Sequence, residues 1–264
     1  MHNKLIPIVK KAGLNMLDQW DNFEIANQKD ELDFATNVDI ETENFLKKEL
    51  KIIKPGCGFI CEESGISDTE AKFKWVIDPL DGTRNYSKHF ALFNISIALL
   101  EEDEIIFGMV YCPATHELFY AEKGKGAYLN RIVYDENFMQ EVTKKISVSD
   151  TPELRNSYLH IEYPLRGDKF NRPIQKLQDL IEITPKLKSI GAAAQALCYT
   201  AMGVYDGYVN FAKTTKLHDF AAGILIIQEA GGMVTNPNGD LYEIKTNDIV
   251  CSNGIIHNEL LKVL

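Results

Sequence analysis

Between Trp75 and Tyr86 the chain reads Trp-Val-Ile-Asp-Pro-Leu-Asp-Gly-Thr-Arg-Asn-Tyr, which predicts a strand followed by the start of a helix. The strand is expected to end at Asp78, because Pro79 has no N–H to donate to a neighbouring strand. Asp81-Gly82-Thr83 is typical of a turn into a helix, where unpaired backbone N–H groups suit an anion such as phosphate. An ordinary Asp-rich turn is the alternative interpretation.

The two carboxylates of this stretch, Asp78 and Asp81, would repel a bound phosphate unless a cation lies between them. Mg²⁺ fits this requirement, because it prefers carboxylate, carbonyl and water oxygens and can bridge to phosphate. Glu62 and Glu63 follow another apolar run, although adjacent glutamates are also common on solvated faces. Asp219 opens an apolar helix, where it could hold a metal or simply cap the helix. These acids are the candidate ligands of a cation.

Outward from this stretch, the hydrophobic pattern divides the chain into two parts. The first part predicts two amphipathic helices, over 4–18 and from Asp39 to Ile53, covering a largely antiparallel sheet. Strands alternate with helices in the second part, which predicts an α/β arrangement. The boundary is expected near 145–155 without a flexible linker, so residues 1–148 and 149–264 are predicted to be tightly packed halves of a single domain.

The composition is that of a globular protein: the 264 residues are 45% hydrophobic and 25% charged. The net charge of −10 disfavours non-specific binding of nucleic acid. No apolar run approaches the ~20 residues of a membrane helix, and the N-terminus shows no secretory signal, so no membrane association is expected. The five cysteines form no Cys-x-x-Cys pair, which favours a reducing, cytoplasmic location.

Together these segments resemble the inositol monophosphatase family of Mg²⁺-dependent, lithium-sensitive phosphatases. The matching segments follow the family's order over nearly the whole chain: Asp33 to Asp39, Glu62-Glu63-Ser64, the run from Asp78 to Tyr86, Gly124 to Ala127, Ser189 to Ala194, and His218 to Gly223. The resemblance implies the layered αβαβα sandwich of the inositol monophosphatase and fructose-1,6-bisphosphatase type. It also implies a homodimer, a first half that carries the main metal site and a second half that closes the substrate pocket.

The resemblance further implies a site with two or three Mg²⁺ ions. The metal ligands that it implies are Glu62, Asp78, the Leu80 carbonyl, Asp81 and Asp219. The groups that it implies for the substrate and its phosphate are Asp81, Gly82, Thr83, Ala193, Asn210 and Asp219, with Lys29 similar to a family lysine near the phosphate. Glu62 and Thr83, the latter hydrogen-bonded to Asp39, would orient and deprotonate the attacking water, so no nucleophilic side chain is required.

Departures from the family pattern leave the substrate open. His218 replaces the usual Trp, which we interpret as a packing or hydrogen-bonding substitution, with a weak metal ligand or a general acid as the alternative. The family glutamate that grips sugar hydroxyls has no clear equivalent, and Asn210 is the nearest polar residue. Lys213 and Lys216 could meet a second anionic group.

The default expectation is Mg²⁺-dependent hydrolysis of a small phosphorylated metabolite, myo-inositol 1-phosphate. Histidinol phosphate, fructose 1,6-bisphosphate and 3′-nucleotides are alternative substrates, and a binding partner of the transcription machinery is an alternative of another class. The Gly124 to Ala127 run looks like a phosphate loop, but we interpret it as a structural turn.

Overall fold

Two helices of 17 residues each form one outer layer: α1 (His2–Asp18) and α2 (Asn37–Ile53). The computed structural model describes residues 1–29, 33–135, 138–162, 171–184, 186–211, 215–246 and 248–264. A capping box begins α2, because Thr36 and Asp39 exchange side chain to backbone hydrogen bonds. Both helices turn an apolar face, which includes Leu5 and Leu46, towards the large sheet.

An eight-stranded sheet forms the next layer, in the order β10-β9-β8-β7-β6-β5-β3-β4. Its strands are β3 (Gly58–Cys61), β4 (Gly65–Ser67), β5 (Phe73–Asp81), β6 (Asn94–Glu101), β7 (Glu104–Cys112), β8 (Glu117–Glu122), β9 (Ala127–Asp135) and β10 (Phe138–Ile146). Neighbours are antiparallel except β3 and β5, which run parallel with Cys61 opposite Ile77. The residues that follow, Glu62 and Asp78, therefore lie side by side.

The expected end of the β5 strand at Asp78 is wrong. The strand continues through Pro79 to Asp81, but its pairing with β6 shifts between Asp78, opposite Ser96, and Asp81, opposite Asn94. The missing N–H of Pro79 coincides with this irregularity. The shift turns both aspartates towards the same end of the sheet, and the short helix α3 (Thr83–Ser87) follows directly.

Two helices separate the large sheet from a second sheet: α5 (Ala193–Ala201) and α6 (Leu217–Glu229). Gly108 of β7 allows a close approach, because a Cβ there would lie 2.7 Å from the Ala222 carbonyl oxygen. The second sheet has the order β12-β11-β13-β15-β14. Its strands are β11 (Leu159–Glu162), β12 (Leu187–Lys188), β13 (Gly207–Asn210), β14 (Met233–Thr235) and β15 (Val250–Ser252).

The other outer layer consists of α4 (Asn171–Ile183) and α7 (His257–Val263), which complete the predicted αβαβα sandwich. Three apolar cores fill the spaces between the layers.

The β9–β10 hairpin and the short pair β1 (Ile25–Gln28) and β2 (Phe34–Thr36) were not predicted. All five cysteines are buried and free. Among the described residues, no helix is both long and apolar enough to cross a membrane.

Candidate active site

The paired strand ends of β3 and β5 bring Glu62 and Asp78 into direct contact. Their carboxyl groups share a hydrogen bond, and burial together with the Glu62 charge raises the pKa of Asp78 well above its usual range. Burial also opposes ionisation of Glu62, but the neighbouring Lys29 ammonium outweighs it and lowers the Glu62 pKa. Of the two carboxyl groups, Asp78 therefore has the greater tendency to keep its proton.

Lys29 provides a positive charge at this cluster. Its ammonium lies 2.8 Å from a Glu62 oxygen and 2.7 Å from a Glu63 oxygen. Within the described part of the chain, no three His, Cys, Asp or Glu side chains are already gathered closely enough to hold a metal ion. A cation that binds Glu62 would have to replace the Lys29 ammonium there. The donors themselves, all carboxylate or carbonyl oxygens, fit a hard cation such as Mg²⁺.

Asp81 is held by three donors from distant parts of the chain. The backbone N–H groups of Ala193 and Ala194, at the start of α5, donate to its two oxygens over 3.1 and 2.8 Å. Asn94 Nδ2 donates over 2.7 Å. Despite these bonds, burial raises the pKa of Asp81 to about 6. The predicted substrate residue Ala193 thus contacts the predicted ligand Asp81.

Asp219 lies in the first turn of α6 and accepts the N–H of Lys216 over 2.5 Å, so the predicted helix-capping contact is present. Burial raises the pKa of Asp219 to about 8, and nearby Glu62 and Asp81 add to this rise. The adjacent His218 is buried, with Nε2 3.6 Å from an Asp219 oxygen. Burial lowers the pKa of His218 to about 4, so this ring is neutral at pH 7 and forms no ion pair.

Gly82 and Thr83 form the helix start beside this cluster. Gly82 has φ +88°, and a Cβ there would lie 2.7 Å from the Leu92 carbonyl oxygen, so only glycine fits. The Thr83 hydroxyl lies 3.1 Å from an Asp39 oxygen and 3.0 Å from the Leu80 carbonyl oxygen. It has one proton and donates to one of these acceptors at a time. Burial raises the pKa of Asp39 to about 6, although Thr36 donates two hydrogen bonds to it.

Asn85 joins this helix start to the segment that precedes α5. Its amide nitrogen donates to the carbonyl oxygens of Leu92 and Ile190, both over 2.7 Å. Ile190 lies three residues before Ala193, whose N–H contacts Asp81. Asn85 therefore positions the amide groups that bind Asp81.

Of the remaining predicted residues, Asn210 lies at the carboxyl end of β13, the middle strand of the second sheet. Asn210 ends β13 and donates a hydrogen bond to the Thr215 hydroxyl. Lys213 lies outside the described residues. Sequence reasoning missed Glu162, which stands opposite Asn210 in the parallel pairing of β11 and β13. Nothing in the local sequence marks it, because only the pairing of distant strands brings it to this edge.

The glycine-rich loop between β8 and β9 binds an anion from the protein itself. The N–H groups of Gly124 and Gly126 donate to the Glu229 carboxylate over 2.6 and 2.7 Å. Glu229 ends α6, so the loop fastens that helix to the large sheet. This contact agrees with the interpretation of the run as a structural turn.

Carboxyl groups at strand ends beside the amide groups of a helix start suit an enzyme that acts on a phosphate ester with the help of a cation. A sequence profile of the inositol monophosphatase family matches residues 2–264. The chain belongs to the inositol monophosphatase family, whose members are generally metal-dependent phosphatases.

The relatives carry two kinds of name, inositol-1-monophosphatase and Nus factor SuhB. The inositol-1-monophosphatase of Caulobacter vibrioides is 33% identical over 244 residues, covering 90% of each chain. A putative Nus factor SuhB of Neisseria meningitidis serogroup B is 32% identical over 266 residues, covering 99% of this chain and 97% of its own. The crystal structure of the extragenic suppressor protein suhB from Bartonella henselae superposes with a TM-score of 0.88 at 27% identity, covering 99% and 97% of the two chains.

Proposed function

We propose that the protein hydrolyses a small phosphate monoester with the help of Mg²⁺, and that myo-inositol 1-phosphate is its default substrate. The observation that carries this proposal is the hydrogen-bonded pair of Glu62 and Asp78, near enough to Asp81 and Asp219 for their charges to raise the Asp78 pKa. Ionised carboxylates that are buried near one another repel unless cations neutralise them. A phosphate ester bound at the N–H groups of Gly82 and Thr83 would need the same cations, because its own negative charge repels these carboxylates.

Two or three Mg²⁺ ions would be held by five oxygen ligands: Glu62, Asp78, the Leu80 carbonyl, Asp81 and Asp219. When bound, the ions would neutralise charge on the phosphoryl oxygens and make water a stronger nucleophile. The Lys29 ammonium occupies Glu62 in their absence, so it stabilises the acidic centre before a cation enters. Asn94 and the Ala193 and Ala194 amides fix the Asp81 carboxylate in place for this role.

The protein's own groups would bind the phosphate and position the water. The N–H groups of Gly82 and Thr83, at the start of a helix, suit the phosphate oxygens. The Thr83 hydroxyl can pass its proton towards Asp39 while its oxygen accepts from the attacking water. The Glu62 carboxylate would accept a second hydrogen bond from the attacking water. Because burial raises the pKa of Asp39 to about 6, this carboxyl can take up a proton near neutral pH.

Phosphate release from a panel of esters tests this function. The panel contains inositol 1-phosphate, histidinol phosphate, fructose 1,6-bisphosphate and adenosine 3′,5′-bisphosphate, each with Mg²⁺ and with EDTA. We expect Mg²⁺-dependent release, fastest from inositol 1-phosphate, and none from Glu62→Gln. Glu70→Gln, an exposed carboxylate, is the matched control. Equal release by Glu62→Gln and wild type would exclude the proposed metal site.

A second candidate function rests on the relatives named Nus factor SuhB. We propose that this chain also associates with the transcription machinery. Purified RNA polymerase from the same cells should then bind the immobilised protein, and Asp81→Asn should bind it equally well. Failure of the wild-type protein to retain the polymerase would remove this candidate without affecting the phosphatase proposal.

The remaining expectations for the family complete the proposal: a homodimer, a cytoplasmic location and inhibition by lithium at a metal site. The five buried free cysteines are compatible with a reducing compartment. Light scattering on the purified protein gives the oligomeric state. Inhibition that weakens as Mg²⁺ is raised would indicate that lithium competes for a metal position.

A further inference from the structure

The large sheet ends in an edge strand, β4, whose outer side is exposed. β4 is the last strand in the order of the sheet, and along the described stretches of the chain its pairing partner is β3 alone. Ser64, Gly65 and Ile66 are exposed at this edge. The outer side of an edge strand presents backbone N–H and C=O groups with which another extended chain can pair.

The two faces of the sheet differ in chemistry at this edge. Ile66 is 64% exposed and stands opposite Ile60, which packs against the core around α5 and α6. The next residue, Ser67, pairs with Phe59, which belongs to the core beneath α1 and α2. Successive side chains of a strand point to opposite faces. One face of the edge is therefore apolar at Ile66, and the other face lies beside α2.

On the α2 side, two lysines lie along the edge. Lys47 Nζ donates to the Ser64 hydroxyl over 2.7 Å, just before β4 begins. The Nζ atoms of Lys47 and Lys51 each lie 5.7 Å from the centre of the Phe59 ring, and Phe59 pairs with Ser67 at the other end of β4. Among the residues that the structure describes, no carboxylate forms an ion pair with either lysine.

These two ammonium groups decide which charge the edge attracts, although the whole chain carries −10. At physiological salt, exposed charges more than about 8 Å apart are largely screened, so the nearest charges dominate. Lysines beside an exposed edge also discourage pairing with neutral or basic strands. Asp68 and Glu70 are exposed just beyond β4, so the carboxylates of a bound segment are expected at the Lys47 end.

We propose that the outer edge of β4 binds an extended acidic segment of a partner protein as an additional strand. The two faces define the sequence of that segment. Carboxylates at alternate positions reach Lys47 and Lys51, and the apolar side chains between them cover Ile66. Pairing with the strand edge requires a peptide backbone, which favours a protein segment over a nucleic acid. The inference goes beyond hydrolysis of a phosphate ester and requires neither substrate nor metal.

The probe is a fluorescein-labelled peptide in which glutamate and valine alternate, titrated with the full-length protein. Fluorescence anisotropy should show saturable binding that weakens as salt is raised. In the double variant Lys47→Gln/Lys51→Gln the dissociation constant should rise ~3- to 10-fold, the effect of losing two exposed ion pairs. The double variant Lys4→Gln/Lys262→Gln, at exposed positions on α1 and α7, removes the same charge and should bind like wild type. Ile66→Ser should also weaken binding.

Methylation of the peptide backbone tests strand pairing separately from charge. The N–H groups of alternate residues in the bound segment would point towards β4. Two peptides with methyl groups on one or the other set of alternate nitrogens should therefore differ, one binding and the other not. Hydrogen exchange at Gly65, Ile66 and Ser67 should slow in the complex.

Five results would overturn the inference. The first is no binding of the alternating peptide to wild type at millimolar concentration, and the second is an unchanged dissociation constant in the Lys47→Gln/Lys51→Gln variant. The third is equal binding of a peptide in which the glutamates and valines form separate blocks, and the fourth is equal binding of both methylated peptides. The fifth is tighter binding of a single-stranded oligonucleotide, which would assign the lysines to nucleic acid.

Discussion

Thr83 follows Asp39 by 44 residues, yet its hydroxyl oxygen lies 3.1 Å from the Asp39 carboxylate. Asp39 is itself fixed by Thr36, which donates through its backbone N–H over 2.7 Å and through its hydroxyl over 2.5 Å. The capping box of α2 thus holds an acceptor for the hydroxyl at the start of α3. A motif that usually stabilises one helix here orients a group on another.

Thr83→Val removes this hydroxyl while keeping the shape of the side chain. We expect kcat for phosphate release to fall by ~10²- to 10⁴-fold, the usual contribution of a positioned proton acceptor. Thr83→Ser should recover much of the rate because it restores the hydroxyl. Thr69→Val, at an exposed position, serves as the control. Wild-type kcat in Thr83→Val would show that the hydroxyl takes no part in the reaction.

Mg²⁺ should stabilise the folded protein, because the ions neutralise buried carboxylates that the unfolded chain leaves in water. At a free concentration one hundred times the dissociation constant, one bound ion adds about 2.7 kcal/mol to the unfolding free energy. Asp219→Asn should be more stable than wild type in EDTA and gain less from Mg²⁺. Thermal unfolding with and without the ion measures both effects, with exposed Asp103→Asn as control. An equal gain in Asp219→Asn would remove Asp219 from the set of ligands.

The same residue predicts how metal-free stability depends on pH. The pKa of Asp219 is about 8 in the folded protein, above its value near 3.9 in the unfolded chain. The folded state therefore binds more protons between these values, and stability falls as pH rises from about 4 to about 8. In urea unfolding with EDTA, wild type should lose stability relative to Asp219→Asn across this range. A constant difference between the two proteins would contradict a raised pKa.

Asn85 should matter for both stability and activity. Asn85→Ala leaves the carbonyl oxygens of Leu92 and Ile190 without their donor, at a cost of about 1–3 kcal/mol for each group that stays unsatisfied. It also loosens the segment that carries the Ala193 and Ala194 amides to Asp81. We expect a lower unfolding midpoint and weaker Mg²⁺ dependence of activity. Asn258→Ala, exposed on α7, should change neither.

A substitution of Glu229 tests whether the loop from Gly124 to Ala127 is a structural turn or a phosphate-binding loop. In Glu229→Ala the N–H groups of Gly124 and Gly126 lose their carboxylate, so the unfolding midpoint should fall by a few degrees. The kcat/KM for phosphate release should stay at the wild-type value, because the loop takes no part in binding substrate. A tenfold change in KM would instead favour a role in substrate binding.

The division into a half of two helices on an antiparallel sheet and an α/β half could be predicted because the helices and inner strands have strong apolar periodicity and stop signals such as Pro55-Gly56 and Gly231-Gly232. The layered sandwich itself was implied by the resemblance to the family. The β9–β10 hairpin was missed because much of β10 is exposed, which leaves little apolar signal. At the site, local motifs were enough to select Asp78, Asp81 and Thr83. Asn94 and Glu162 were not selected, since only the register of strand pairing sets Asn94 opposite Asp81 and Glu162 opposite Asn210.

The pairing of Asp81 with the α5 amides also has a consequence for protein synthesis. Asp81 leaves the ribosome 112 residues before Ala193, its first backbone N–H partner along the chain. Until then the donor available to Asp81 is the Asn94 side chain, and the centre closes only when most of the protein has emerged. A translation product that ends before Ala193 therefore lacks both backbone donors of Asp81.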